Sequence, residues 1–475
     1  MSTLTNKLPF LKKIAYPYCT VVLFTFALTA VILHKNKELF YHPYYIIAFD
    51  SMGYYQYMQW FWLEDSPPVQ EAAQEFNPHF TVKSQNRAGE EIFVNKYSVG
   101  VALLQSPFFI MGHWIAKAGG WYVNGWSTPY IWCTTFGSLL YAFLALLFLA
   151  RFLLQHYEDP VVAVVLAAVV GATNWWYYIF HQPYMSHNYT CFLFALTLYY
   201  SQQWYKTGAW KHYIPLAIGV GLIAAVRIPN LVYGLVLAFG GVYNKESLQK
   251  RLLFLWEQWE QMLVGAFIVV AVLYPQLWYW KTVTGYAWFN AYAANEEHFY
   301  WLQPMIAEVL IGYRKGWFVY TPVMLLAVWG FINLYQQKKA FFPSILLYLV
   351  LNIYIVSCWG WWWYGGSFGM RALMECCIPL ALPLAALLEW ARKKTWTKAF
   401  FYGAIVWFIF LNQLQTHQHD LGILHYQSMT REAYWHAFLK FPPYSEEFHA
   451  EMDSLLYHPN MHLESHREEY VSTIW

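Results

Sequence analysis

Long apolar segments separated by short polar ones are the feature that most restricts the fold of this chain. Several of them have the roughly 20 residues that an α-helix needs to cross the hydrocarbon core of a bilayer. A lipid-exposed segment must satisfy its backbone hydrogen bonds internally, and helices do so. Only 12% of the residues are charged, whereas soluble domains carry about a quarter. The sequence therefore predicts an all-α polytopic membrane protein.

We expect about eleven transmembrane helices and one further apolar segment, 97–115, that either crosses or packs as a re-entrant or interfacial helix. The predicted spans are 15–33, 129–154, 160–180, 187–205, 212–226, 228–242, 261–280, 317–334, 341–358, 371–390 and 399–414. Two of these spans are short and meet at Arg227, since Pro229 would break a helix there.

The positive-inside rule sets the orientation and bears on the status of segment 97–115. If that segment does not cross, all the basic connectors fall on the cytoplasmic side together with the N-terminus. If it crosses and 212–242 forms one helix, Arg151 and the connector 206–211 move outside. The first arrangement fits the charges better. It predicts a multi-pass protein of the bacterial inner membrane with a cytoplasmic N-terminus and a periplasmic C-terminus.

Most of the polar sequence then lies on the outer side. A transmembrane domain covers residues 1–415 and includes a large outer loop, 34–128, in which we expect interfacial or re-entrant helices. A small periplasmic subdomain, 416–475, follows. The inner connectors leave no room for a nucleotide-binding domain, and no glycine-rich phosphate motif occurs. With a net charge of +2 and no basic block, nucleic acid is not an expected partner.

Asp50 opens an aromatic-rich stretch, 49–62, shortly after the first apolar run. The stretch predicts an amphipathic helix that lies along the membrane surface. Its aromatic and apolar residues would share one face: Tyr54, Tyr57, Met58 and Phe61. Asp50 either caps this helix or serves as a reactive acid at the membrane–water boundary, where it would meet a substrate carried by a lipid.

Four cations stand at the outer ends of predicted spans: Arg227, Arg314, Lys315 and Arg371. A cation at the bilayer centre costs about 2.5–3.5 kcal/mol on insertion scales, so membrane cations usually lie at helix ends or face a polar cavity. These positions suit a lipid phosphate, which arginine grips with two hydrogen bonds. The alternative is that each side chain reaches outward to lipid headgroups. Because three such sites share one face, we expect a common phosphate-binding cavity.

The densest aromatic cluster is 359–364, which contains Trp362, Trp363 and Tyr364 and is followed by glycines that keep the backbone bendable. Its rings either stack on a sugar or an isoprenoid chain, or form an interfacial aromatic belt. Lys96 and Tyr97 place a cation beside an aromatic ring at the start of segment 97–115.

His187 follows the short outer turn 182–186. It either exchanges a proton near neutral pH or makes an ordinary hydrogen bond at a helix end. Glu296, Glu297 and His298 offer a second acid or ligands for a divalent metal. His417, His419 and Asp420 are a second candidate set of metal ligands, although a small outer subdomain explains that region better. No other metal-ligand set is evident. Glu375 follows Arg371 by four residues, which predicts an i,i+4 ion pair.

Taken together, these features resemble the polytopic glycosyltransferases of the GT-C superfamily. The resemblance is to the bacterial group related to protein mannosyltransferases and to the aminoarabinose transferases that decorate lipid A. Asp50 matches the acid of their first outer loop, and 96–100 looks like their Tyr-Pro-Pro-Gly motif without its prolines. The stretch 312–322 is similar to a late Gly-x-x-x-Tyr-x-Pro pattern, and 363–371 to a Trp-x-Gly-Gly-x-x-Gly-x-Arg pattern.

The resemblance implies a sugar transferred from a polyprenyl-phosphate donor to an acceptor hydroxyl on the periplasmic side, with inversion at the anomeric carbon. The acceptor is a lipid, a glycan or a protein. Asp50 is the implied general base, and Arg227, Arg314, Lys315 and Arg371 are the implied phosphate ligands. Some relatives use a divalent metal.

Two other functions stay open at this stage. A transporter or flippase of a lipid-linked saccharide would use the same cations and aromatic rings to hold its cargo. Such a protein should show two related halves with paired broken helices, and neither is evident. A scaffold subunit of an envelope machine is the third possibility, and it requires that Asp50 be dispensable.

Overall fold

The computed structural model describes residues 16–36, 47, 49–63, 80–293 and 297–456. The first half contains α1 (Pro17–Asn36), α2 (Asp50–Trp62), β1 (Thr81–Gln85), β2 (Glu91–Asn95), α3 (Gly100–Ala118), α4 (Thr128–Leu153), α5 (Asp159–Gly171), α6 (Trp175–Phe180), α7 (Ser186–Thr207), α8 (Trp210–Val226) and α9 (Gly234–Phe239). The second half contains α10 (Lys245–Glu257), α11 (Trp259–Thr284), α12 (Ile306–Ile311), α13 (Trp317–Tyr320), α14 (Val323–Gln337), α15 (Phe342–Cys358), α16 (Cys377–Ala391), α17 (Thr395–Asp420), α18 (Arg431–Ala437) and α19 (Glu446–Leu455). The described chain is thus mostly helical, as predicted.

Four helical segments within the described residues are long and apolar enough to cross a membrane. They are Thr128–Leu153, Trp259–Thr284, Arg371–Ala391 and Thr395–Asp420. Shorter apolar helices accompany them: Pro17–Ile32, Asp159–Gly171, Trp210–Val226, Ile228–Phe239 and Phe342–Cys358. The membrane character follows from these segments, whereas the total of eleven spans and their orientation stay predictions.

The segment that leads into α16 lies at the centre of the bundle. In Arg371–Ala391, 94% of the most apolar stretch is buried inside the protein, against 17% in Trp259–Thr284. The central segment packs closely against α14, and α11 lies at the edge with its apolar side chains exposed. An apolar face left open in this way is expected of a helix that meets lipid.

Prolines divide several of the predicted spans. α8 ends at Val226, Arg227 is extended, and a 3-10 turn (Ile228–Tyr233) with Pro229 near its start leads into α9. The predicted break at Arg227 is therefore confirmed. The predicted span 317–334 is divided at Pro322 into α13 and α14, because proline removes a backbone donor and fits best at a helix start.

The first outer loop contains a β-hairpin, so the expectation of helices alone there was incomplete. β1 and β2 pair antiparallel, with Thr81 opposite Asn95 and Gln85 opposite Glu91. Both strands are short stretches rich in β-prone residues, which favours a hairpin over a helix. The Asn95 backbone N–H donates to the Tyr279 hydroxyl (2.8 Å), so the hairpin is fixed to the end of α11.

α2 confirms the helix predicted for 49–62, but its surroundings differ from the prediction. Its residues Ser51–Gln59 are buried, so the helix packs inside the protein rather than lying on a membrane surface. Tyr57, for example, packs edge-on against Tyr279, with ring centroids 4.9 Å apart. Tyr57 and Met58, which suggested an interfacial face, are instead core residues.

α17 continues to Asp420, four residues past the start of the predicted C-terminal subdomain at 416. α18 and α19 follow and pack against each other. The Gln415 side chain donates to the Tyr434 hydroxyl (2.9 Å), which ties α18 to α17. Residues 457–475 of the predicted C-terminal subdomain lie outside the described part of the chain.

The opposite end of the bundle is held by acids and backbone groups. Both oxygens of Asp159 accept from the first turn of α1, at 2.9 Å from the backbone nitrogens of Tyr18 and Cys19. Arg392 contacts Glu158 (2.6 Å) and Glu389 (2.9 Å). These contacts join the start of α1 and the end of α16 to the start of α5.

Candidate functional site

A cavity of about 830 Å³ lies where several helix ends meet. Its wall is formed by the starts of α2, α3 and α7, the ends of α8 and α15, and the 3-10 turn Arg371–Cys376. These ends belong to the segments that the predicted topology placed on one side of the membrane. The charged and polar residues that line it include Asp50, Tyr54, Lys96, Tyr97, His187, Arg227, Glu297, His298, Tyr364 and Arg371.

Asp50 is held by a cation and a phenol at the cavity wall. Its Oδ2 lies 2.9 Å from Nη1 of Arg371, and its Oδ1 accepts from the Tyr97 hydroxyl at 2.6 Å. No side-chain capping bond is present at the start of α2, where Phe49 occupies the N-cap position. The capping interpretation of Asp50 is therefore wrong, and its carboxylate belongs to the cavity.

Local packing explains why Tyr97 reaches Asp50. The Asn95 side chain donates to the Gly53 carbonyl (2.7 Å) and accepts from the Tyr97 backbone N–H (3.0 Å). A Cβ at Gly53 would lie 2.2 Å from Cδ2 of Tyr97, so only glycine leaves room for that ring against α2. Likewise, a Cβ at Gly100 would lie 2.4 Å from the Val226 backbone nitrogen. Glycine there lets the start of α3 approach the end of α8.

The surroundings keep Asp50 ionised. Burial alone would raise the pKa of the Asp50 carboxyl, but the charge of Arg371 and the hydrogen bond from Tyr97 together hold this pKa below its usual value. Burial and the nearby Asp50 charge raise the pKa of Tyr54 to about 12. The cavity wall therefore presents a carboxylate beside a phenol that keeps its proton at neutral pH.

A second carboxylate, Glu375, lies behind the wall. Its Oε1 is 2.8 Å from Nδ1 of His187 and 3.9 Å from Nη1 of Arg227. The predicted ion pair between Arg371 and Glu375 is not formed, since Arg371 pairs with Asp50 instead. The reason is geometric: residues 371–376 form a 3-10 turn, in which residues three apart share a face and residues four apart do not.

A third ion pair completes this side of the cavity. Nζ of Lys96 lies 3.4 Å from Oε1 of Glu297 and 5.5 Å from the centroid of the Tyr97 ring. Both partners are mostly buried. The pair joins the start of α3 to the loop after α11, so the predicted Lys96–Tyr97 neighbourhood does contribute to the wall.

The aromatic cluster divides between the cavity and the core. Trp359, Trp361 and Tyr364 line the cavity. Trp362 and Trp363 are buried and do not line it. The Tyr364 hydroxyl donates to the Val356 carbonyl (3.2 Å), and its φ of 57° turns the chain sharply into the following glycines. Trp362 and Trp363 thus support the loop from behind, while their neighbours face the cavity.

Arg314 and Lys315 are placed away from the cavity. Nε of Arg314 donates to the Gln427 carbonyl (2.8 Å), and its guanidinium lies 3.9 Å from the Trp363 ring centroid. Nζ of Lys315 donates to the carbonyls of Ser367 and Tyr426. Burial, together with the charges of Arg314 and Arg371, holds the pKa of Lys315 well below its usual value. Their contacts tie the aromatic loop to the C-terminal region.

The comparison with known proteins adds no relative. No family model matches this chain, and no curated protein matches it. The resemblance to GT-C enzymes consequently depends on the short motifs at Asp50, 96–100, 312–322 and 363–371. The structure brings Asp50 into direct contact with Tyr97 and with Arg371, which belong to the second and the fourth of these motifs.

Only part of the candidate metal group lies within the described residues. Across residues 16–36, 49–63, 80–293 and 297–456, no three His, Cys, Asp or Glu side chains converge as metal ligands. Glu297 pairs with Lys96, and Glu296 lies outside the described residues.

Sequence reasoning missed the roles of two residues. Tyr54 faces the cavity next to Asp50, whereas the prediction placed it on the apolar face of a helix that lies along the membrane surface. Glu375 contacts two cavity residues, His187 and Arg227, whereas the prediction gave it only an i,i+4 ion pair with Arg371. A signal for Glu375 was present, because a carboxylate inside a long apolar run is a functional-site candidate in its own right.

Proposed function

We propose that this chain is a membrane glycosyltransferase that moves a sugar from a polyprenyl-phosphate donor to an acceptor hydroxyl. The observation that carries the proposal is the position of the Asp50 carboxyl group between Arg371 and Tyr97, at the wall of a cavity that also presents Lys96 and Arg227. A cavity of about 830 Å³ is within the range of small-molecule sites.

In the proposed reaction, Asp50 accepts the proton of the acceptor hydroxyl as its oxygen attacks the anomeric carbon. The new carbon–oxygen bond forms while the bond from that carbon to the phosphate oxygen breaks. The electron pair of the broken bond stays on the prenyl phosphate, which leaves. A direct displacement of this kind inverts the configuration at the anomeric carbon.

The neighbours of Asp50 support this role in different ways. Arg371 and Tyr97 each bind one carboxylate oxygen, which fixes the plane of the base. The side chain of Arg227 is 26% exposed and lines the cavity, so its guanidinium suits the charge that develops on the departing phosphate. We place the cavity on the periplasmic side of a bacterial inner membrane, in agreement with the distribution of basic connectors.

The test is sugar transfer by purified protein in liposomes, with polyprenyl-phosphate sugars as donors. Asp50→Asn keeps the size of the side chain but removes its basicity, and we expect transfer to fall by about a hundredfold or more. The matched control is Asp420→Asn, which removes a carboxylate that pairs with His181 (2.8 Å) outside the cavity. It should retain transfer. The proposal would be contradicted if Asp50→Asn transferred sugar at the wild-type rate, or if the wild type were inactive with every donor.

A further inference from the structure

Glu375 lies behind the cavity wall and contacts two residues that line the cavity. One carboxylate oxygen, Oε1, faces both Nδ1 of His187 and a guanidinium nitrogen of Arg227. Glu375 is 3% exposed, while His187 and Arg227 line the cavity. A buried carboxylate is stable only when it is paired and hydrogen-bonded. The two cavity residues are therefore joined through one group that a ligand does not touch.

The hydrogen bond to Glu375 decides what His187 offers to a ligand. With Nδ1 donating to the carboxylate, Nε2 is the ring nitrogen left for the cavity side. It accepts a hydrogen bond when the imidazole is neutral and donates one when it is protonated. Burial and the charges of Arg227 and Arg371 favour the neutral imidazole, and the carboxylate behind the ring favours the protonated form. Arg227 lies at 3.9 Å from the same oxygen, which is a loose ion pair that can turn toward an anion.

The charged groups described around the cavity balance when His187 and His298 are both neutral. Among the described residues, Asp50, Glu297 and Glu375 contribute three negative charges, and Lys96, Arg227 and Arg371 contribute three positive ones. Glu296 lies outside the described residues. A singly charged anion that entered the cavity would add one negative charge to this set. Burying such a charge is costly, and one proton on His187 would offset it.

The groups that face His187 come from every element packed around it. They are Glu375 and Arg371 from the 3-10 turn, Arg227 from the end of α8, Asp50 from α2, and Tyr178 from α6. The carboxylate of Glu375 is the one anion among them in hydrogen-bond contact with the ring.

We propose that His187 and Arg227 form the subsite for the phosphodiester of the donor, and that Glu375 is a positioning residue that lets His187 take up one proton when this anion binds. The inference deepens the proposed function by separating two subsites. Asp50, Arg371 and Tyr97 serve the acceptor hydroxyl, and His187 with Arg227 serves the donor phosphate. The proton enters from solvent with the anion, and it returns to solvent when the prenyl phosphate is released.

The experiment measures proton uptake on binding and requires no sugar transfer. The probe is farnesyl methyl phosphate, a diester that stays singly charged over the pH range used. Its binding to the purified full chain in detergent is followed by isothermal titration calorimetry near neutral pH, in buffers with different heats of ionisation. We expect uptake of about one proton per diester bound. Farnesol, which has no charge, should bind without proton uptake.

Variants separate the positioning role from a structural one. His187→Gln should bind the diester about tenfold more weakly, with heats that do not depend on the buffer. Glu375→Gln keeps a hydrogen-bond acceptor behind His187 but removes the charge, so it should also lose the proton uptake. Glu375→Asp should recover part of it. If Glu375→Gln does not fold, as judged by size-exclusion chromatography, His187→Gln carries the test.

Two control variants address the other sources of a proton effect. Glu389→Gln alters a carboxylate at the opposite end of α16, where it pairs with Arg392, and it should behave as the wild type. His298→Gln alters the second histidine of the cavity wall, and it should still take up the proton. Buffer-independent heats in the wild type, proton uptake retained by His187→Gln, or no binding of the diester at all would overturn the inference.

The outcomes also separate this inference from the proposed function. If the wild type binds the diester with proton uptake but transfers no sugar, the subsite is supported and the proposed glycosyltransferase activity is contradicted. Sugar transfer by a wild type that binds the diester without a proton would support the enzyme and contradict the subsite.

Discussion

Two pairs of cations that look alike in the sequence occupy opposite kinds of environment. Arg227 and Arg371 line the cavity, and each faces a carboxylate. Arg314 and Lys315 are buried, and Nε of the first and Nζ of the second donate to backbone carbonyls of the aromatic loop and the C-terminal region. All four were expected to bind phosphate, and only the first pair is placed where a ligand can reach it.

The difference shows that the partner of a cation is more informative than its position in the sequence. A carboxylate partner at a cavity wall can exchange with an incoming anion. Backbone carbonyls that are fixed by the fold cannot be exchanged without moving the loop. The two pairs should therefore respond differently to substitution, the first in transfer and the second in stability.

The largest effect is expected at Arg371. Arg371→Gln removes the charge that keeps Asp50 ionised and oriented, and we expect kcat for sugar transfer to fall by about a hundredfold or more. Because both side chains act as one unit, the double variant with Asp50→Asn should lose less than the product of the two single losses. Arg392→Gln, which breaks ion pairs at the far end of the bundle, is the control. Multiplicative losses would contradict a shared role.

Lys315→Met should act on stability. The substitution leaves two buried carbonyls without their donor, which we expect to cost about 1–3 kcal/mol. The measurement is thermal unfolding in detergent, combined with transfer per folded molecule. Lower stability with unchanged KM and kcat is the expected result. A raised KM at unchanged stability would instead return Lys315 to the phosphate-binding set.

Asp159→Ala tests the far end of the bundle. Both oxygens of Asp159 accept backbone N–H groups at the start of α1, as an N-cap does, so its loss should cost about 1 kcal/mol. Thermal unfolding should detect the change, and transfer by the folded protein should not differ from the wild type. A lower transfer rate per folded molecule than in the wild type would show that the two ends of the bundle are coupled.

The smallest effect is expected from mild acid on the wild type. Because the folded-state pKa of Asp50 is below its usual value, its carboxylate stays charged as the pH falls from neutral toward about 5. The stability that its pairing contributes is present above the unfolded-state pKa and is lost only as the pH falls through the lower, folded-state value.

The dependence of kcat on pH should be measured for the wild type and for Arg371→Gln. In that variant, burial is no longer opposed by Arg371, so the pKa of Asp50 should rise and the acid limb of kcat should move toward neutral pH. An unmoved acid limb would mean that another group limits the reaction.

Much of the fold could be predicted because the signals are local. Helix 49–62 and the break at Arg227 follow from aromatic spacing and from Pro229, and both are present. The hairpin of β1 and β2 was missed, because each strand has only five residues and depends on Tyr279 for its anchor.

The site was predicted in its parts and not in its pairs. Charge distribution placed Asp50 and Arg371 on the same side of the membrane, but it could not show that they touch. The pairing of Glu375 with His187 was unpredictable from spacing, since it depends on a 3-10 turn at the start of a helix. Such a turn depends on how the segment packs, and a sequence window does not contain its neighbours.

The sequence by itself determined that this is a helical membrane protein with a break at Arg227, since apolar length and proline act on the chain locally. Tertiary structure alone decided which carboxylate holds which cation, and which cations face the cavity at all. Ion pairs form between groups that the fold brings within a few ångströms, and no local property of the chain sets that distance.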